Sequence, residues 1–134
     1  MRTLVFSRSH SYNPSLRGIV VPVHLENGGS RVGIKAIVDT GASHCVFERA
    51  YAEVLGLDVE AGEPITFRSA GGGVDAFGHW VALEAMGMRF ESLVYFFADH
   101  GISRNLLGRV GWLDRIRLGI VDHDGVLLAA EYDE

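Results

Sequence analysis

A single cysteine, Cys45, in 134 residues excludes an intramolecular disulfide and points to a reducing, cytoplasmic compartment. Basic residues are also scarce. Twelve Lys and Arg stand against 17 Asp and Glu, a net charge of -5, so no basic footprint argues for nucleic acid or an anionic membrane as partner. The longest apolar runs, such as Leu93 to Ala98, fall far below the roughly 20 residues that span a bilayer, which predicts a soluble protein. Met1 to Ser7 is too short and too polar for a signal-peptide apolar region. Metal-ligand spacing is missing among His10, His24, His44, His79, His100, His123 and Cys45. Neither Lys-Ser nor Lys-Thr follows Gly71-Gly72-Gly73, and the next segment reads as strand, so a phosphate loop is not expected. Asp122, Asp124 and Gly125 mimic part of a calcium loop but lack its bidentate Glu, leaving a plain turn. No cofactor is implied.

What is present is period-two patterning broken by glycine turns. The length suits one domain that buries roughly two-thirds of its unfolded surface. Ile19, Val21, Val23 and Leu25 share one strand face, and Pro22 on the other face suggests an edge, where a missing amide donor is tolerated. Asn27-Gly28-Gly29 turns this strand into Arg31 to Val38, which delivers Asp39 to its end. Phe47, Ala50, Tyr51, Val54 and Leu55 have helical spacing, with no good N-cap before them and Gly56 after them. Glu63 to Ser69 and Val74 to Ala85 form a long hairpin around Ala70 to Gly73. Met88 to Phe97 is apolar on both faces and reads as a central strand. Asn105 to Leu107 reads as a short buried strand, and Arg109 to Arg115 as one or two helical turns anchored by Trp112 and Leu113. Ile116 to Val121 and Val126 to Ala130 flank the turn Asp122 to Gly125. Residues 1–17 carry only a hint of strand at Leu4 and Phe6, so their order is left open, and residues 18–134 form the single domain. Short strands, frequent glycine turns and one good helix make an all-β barrel.

Two motifs carry chemistry. Asp39-Thr40-Gly41-Ala42-Ser43 places a carboxylate at a strand end before a tight turn, and Asn105-Leu106-Leu107-Gly108-Arg109 follows later in the chain. In this order, with a glycine-rich hairpin between them, they make the chain resemble the retropepsin-like aspartic proteases over roughly Ile19 to Ala130. The resemblance implies the acid protease fold, a closed β-barrel with a helix after the Asp-Thr-Gly loop and a short C-terminal helix. It also implies a homodimer, joined through the Asp39 loop and the terminal strands, in which one Asp39 from each chain activates water against a peptide bond. In such a dimer Thr40 reaches across the axis, and Gly41 and Ala42 present backbone groups to the substrate. Ser43 and His44 border its subsites, Leu107 lines the pocket floor, and Gly71 to Gly73 belong to a flap. Val126 to Ala130 has no obvious intrachain partner for its far edge and is available to a symmetry mate or to Leu4 to Phe6.

Other readings of the same residues remain open. Asp39 in an isolated Asp-Thr-Gly would be an Asx turn closing a strand. Cys45 beside His44 suggests a thiol dyad, but neighbours on an extended strand point to opposite faces. Retroviral members carry a second Asp where Ser43 stands here, so Arg109 lacks the partner that Asp would supply. The main rival function is a catalytically silent peptide-binding or dimerisation module on the same fold.

Overall fold

Period-two patterning resolves into ten strands and one α-helix in the computed structural model, which describes residues 1–134. The strands are β1 (Arg8–Ser11), β2 (Val20–Asn27), β3 (Ser30–Val38), β4 (Val46–Phe47), β5 (Glu63–Ser69), β6 (Gly72–Ala85), β7 (Met88–Phe97), β8 (Leu106–Leu107), β9 (Ile116–Val121) and β10 (Val126–Glu131), with α1 at Arg49–Val54. β2, β3, β8, β4, β7 and β6 pair in that order. β6 then returns to β2, with Ala82 to Ala85 against Val23 to Glu26, so the paired strands form a closed ring and β5 hangs from β6. Pro22 pairs with Lys35 just before the contact with β6 begins, so β2 is an edge at that residue and the missing amide donor costs no ladder bond to β6.

Alternation sends the two faces of the ring strands to two apolar clusters. Val21, Val23, Leu25, Ile34, Ala36, Phe47, Leu83, Phe96, Leu107 and Trp112 belong to the main core. Val46, Ala76, Tyr95 and Phe97 form a smaller cluster against Phe67, Val74, Ile102 and Leu106. Tyr95 and Phe96, like Leu106 and Leu107, are therefore neighbours in sequence on opposite sides of the same sheet.

Four expectations need correction. The N-terminal segment holds a strand, but at Arg8–Ser11 rather than Leu4 to Phe6, and it runs antiparallel to β10. β10 pairs with β9 on its other side, so Val126 to Ala130 has both edges occupied within the chain. Phe6 instead packs its ring over Gly119, where a Cβ would come within 2.9 Å of it. The helix is shorter than the spacing predicts: Val46 and Phe47 are strand, Val54 is exposed, and Ala52 with Leu55 carries the buried contact. Glu48 precedes it without a side-chain cap, and Gly56 ends it at φ +72°. The C-terminal helical segment is a 3-10 turn at Leu113–Arg115, although Trp112 is fully buried as an anchor.

Candidate active site

β3 ends where its last residues lie parallel to β8, with Val38 opposite Leu107. The chain past β3 is then stitched to the chain past β8 by backbone hydrogen bonds. Asp39 N–H donates to Leu107 O at 3.0 Å, Arg109 N–H to Ala42 O at 2.9 Å, and Val110 N–H to Ser43 O at 2.9 Å. Cys45 N–H closes the series on Val110 O at 3.2 Å. Gly108 lies at the crossing. Any Cβ there would collide with the carbonyl of His44 and come within 2.8 Å of Ala42 O, so the position needs glycine for close approach.

Within the loop, Asp39 Oδ1 accepts Gly41 N–H at 2.9 Å, and Asp39 O accepts Ala42 N–H at 3.2 Å. The Asx turn expected of an ordinary strand end is thus present, but it occupies one carboxylate oxygen only. Oδ2 accepts no hydrogen bond within the chain. Thr40 is exposed, and its hydroxyl has no intrachain partner either. A free carboxylate oxygen can take a proton from water; one carboxylate cannot also supply the acid that hydrolysis of an amide requires.

Asp39 lines a cleft of about 540 Å³ together with Gly41, Ala42, Ser43 and His44. The opposite wall comes from the hairpin of β5 and β6 through Phe67, Arg68, Ser69 and Val74, and the floor from Val46, Phe97, Ile102 and Leu106. These apolar residues are the inner face of the smaller cluster, so one side of the sheet fills the core while the other builds the cleft. Asp39 is the only carboxylate in the lining. His44 sits edge-on to Tyr95 with ring centroids 4.9 Å apart, and its Nδ1 lies 2.9 Å from Ser43 Oγ.

The sequence-predicted residues fare unequally. Asp39, Gly41, Ala42, Ser43 and His44 come together in the cleft. Leu107 does not: it is fully buried in the main core, and Leu106 takes the place on the cleft floor. The cause is the register of β8, in which alternate residues face opposite sides. Of the glycine region, Ala70 and Gly71 form the tip, because Ser69 already pairs with Gly72. Gly72 and Gly73 border a separate shallow depression with Thr66 and Arg68. Arg109 is exposed and uses only its backbone here. Cys45 is buried with its Sγ 3.9 Å from Gly108 O, and burial above all pushes its thiol up to about 12, so it is no nucleophile at neutral pH. No three His, Cys, Asp or Glu side chains gather in a way that could hold a metal ion.

Sequence reasoning missed Val46, Phe67, Arg68, Val74, Phe97, Ile102 and Arg104. Period two could have found Val46 and Phe97, since each is out of phase with a core neighbour. Arg68 and Arg104 carried no signal, being single charges on a hairpin arm and a loop.

Comparison with known proteins bears on this arrangement. No curated protein sequence matches the chain. In three dimensions it is similar to a retropepsin-like aspartic protease from Rickettsia conorii, with a TM-score of 0.60 and 24% sequence identity over 83% of this chain and 89% of that one. It is also similar to EIAV protease in complex with the inhibitor HBY-793, with a TM-score of 0.57 and 21% identity over 75% of this chain and 88% of that one. These likenesses establish the fold, which is the retropepsin fold. A family profile described as aspartyl protease matches residues 21–126, a span that includes both the Asp39 loop and the Gly108 crossing. The chain therefore belongs to the aspartyl protease family.

Proposed function

We propose that the chain is an aspartic endopeptidase that works as a homodimer, with Asp39 of one protomer facing Asp39 of its partner. The observation that carries this reading is the solitary carboxylate: Asp39 is held by backbone wiring in a cleft, with one oxygen free and no second acid beside it. A two-fold axis at the loop supplies the missing acid, because an isologous contact duplicates every residue near the axis. Thr40 is exposed next to Asp39 with its hydroxyl unpaired, which suits a contact across that axis. Both edges of β10 being taken, terminal strands can join such a dimer only through the outer edges of β1 and β9.

The chemistry uses one proton shared between two carboxylates, which titrate as a pair. The ionised Asp39 accepts a proton from water as the oxygen attacks the scissile carbonyl carbon. The protonated Asp39 donates to the carbonyl oxygen, giving a gem-diol. As the diol collapses, one carboxyl gives its proton to the departing amine while the other carboxylate takes a proton from a diol hydroxyl; the C–N bond breaks, the C=O bond re-forms as a carboxylic acid, and the pair again holds one proton. No cofactor takes part. The hairpin of β5 and β6, with its glycine tip, forms the flap over the substrate, and Leu106 lines the subsite floor. A lone buried thiol fits a cytoplasmic setting.

Peptide-library cleavage, run beside sedimentation across a dilution series, tests the proposal. Specific activity is expected to fall as the dimer dissociates. A clean monomer that cleaves with undiminished specific activity would refute the shared site.

A further inference from the structure

The charge around Asp39 runs against the charge of the whole chain. The protein carries -5 overall, yet Arg68 and Arg104 both line the Asp39 cleft, and Arg17 and Lys35 join Arg104 and Asp39 around the adjoining depression. Elsewhere Arg8, Arg31, Arg49 and Arg89 each pair with a glutamate, and Arg115 and Arg117 donate to the backbone carbonyls of Glu91 and Glu134. None of the four cations beside the cleft makes an ion pair or a side-chain hydrogen bond within the chain, and Asp39 is the only acid lining either hollow. A peptide laid along the cleft would cover two guanidinium groups, and covering an unpaired cation is costly unless a carboxylate meets it. The planar donor fork of Arg suits a carboxylate in particular.

We propose that the cleft selects peptides bearing Asp or Glu close to the scissile bond, with Arg68 and Arg104 receiving those side chains. The apolar floor at Val46, Phe97 and Leu106 takes the side chains between them. Arg68, on the arm of the β5–β6 hairpin, grips from the flap side, and Arg104, on the loop before β8, grips from below. The inference rests on the endopeptidase reading for the word scissile, but the recognition itself is a binding property that can be measured without turnover.

The test uses the full-length Asp39→Asn protein and fluorescent octapeptides with one apolar centre, flanked by Glu in one and by the isosteric Gln in the other. The Glu peptide is expected to bind about tenfold or more tightly at low salt, and the advantage is expected to shrink as salt rises. Arg68→Gln with Arg104→Gln is expected to bring the Glu-to-Gln ratio close to one. Arg104→Glu is expected to shift preference toward a Lys-flanked peptide. Equal binding of the Glu and Gln peptides, or a ratio that both arginine substitutions leave intact, overturns the proposal. Failure of the two readings is separable. A Glu preference in binding, with no cleavage by the native protein, removes the endopeptidase and keeps the recognition; cleavage that is indifferent to Glu or Gln does the reverse.

Discussion

Asn105 and Glu48 hold each other by two hydrogen bonds across 57 positions of sequence: Asn105 Nδ2 donates to Glu48 Oε2 at 2.6 Å, and Glu48 N–H donates to Asn105 Oδ1 at 3.0 Å. Asn105 O also accepts Ile37 N–H at 2.9 Å, so one residue ties β3, the entry to β8 and the start of α1. The backbone N–H at the start of the uncapped helix thus donates to a distant side-chain oxygen. Asn105→Ala removes both side-chain bonds from a partly buried site and is expected to cost about 1–3 kcal/mol in denaturant unfolding. Asn105→Asp sets two carboxylates together and is expected to cost more.

Replacing Asp39 separates its structural role from the catalytic one proposed for it. Asn keeps an Oδ1 that accepts Gly41 N–H, so the loop persists, but it cannot share a proton across an axis. Asp39→Asn is therefore expected to melt near the native temperature while peptide cleavage falls by about 10²–10⁴-fold. Asp39→Ala loses the turn bond as well, and its melting temperature is expected to drop below that of the Asn variant. Cleavage undiminished in either variant would show that the carboxylate is not the catalyst.

Gly108 offers the sharpest steric test. A single methyl group there meets the backbone of His44 and Ala42, neither of which can swing aside as a side-chain tip would. Gly108→Ala is expected to force the two crossing segments apart, with a large fall in unfolding free energy and loss of cleavage. Gly71→Ala is the control for unfolding, since nothing lies within 4 Å of a Cβ at the hairpin tip.

Acid is expected to weaken the fold. The Arg31 and Arg89 guanidinium groups hold the Glu26 carboxyl below its usual range, His100 and Arg49 do so for Glu53, and Arg49 does so for Glu60. Glu134 is lowered chiefly by the Glu131 backbone N–H and Ser7. A carboxyl whose pKa is lower in the folded state stabilises the fold above its unfolded value of about 4.3 and loses that contribution as pH falls through the folded value. Melting temperature is thus expected to decline as pH drops below about 4, and the decline to be smaller in high salt, because three of these four groups are exposed. A melting temperature that rises on acidification through this range would contradict these pairings.

Much of this was legible in the chain before its structure. Asp39 at a strand end, the hairpin turns and the central character of Met88 to Phe97 follow from period two and turn chemistry, both local properties. Leu106 and Leu107 show where local reading stops. Both are apolar, and which one faces the cleft depends on register against Ile37 and Val38, some 70 residues earlier. The N-terminal strand was obscured for a related reason. Arg8 to Ser11 is polar, and what makes it a strand is an open edge on β10 at the far end of the chain. Val54 misled because it fits the apolar spacing, yet Ala52 and Leu55 on either side of it take the buried face.

The stitching between the Asp39 loop and the Leu107–Val110 segment also sets a schedule. During synthesis, residues 39–45 leave the ribosome about 70 residues ahead of the carbonyls and amides that fix them. At about 5–20 residues per second, the loop spends several seconds without its scaffold. Long-range pairing of this kind forms late in folding. A nascent chain therefore carries Asp39 as an ordinary exposed carboxylate, and the backbone frame around it can close only once Val110 has been made.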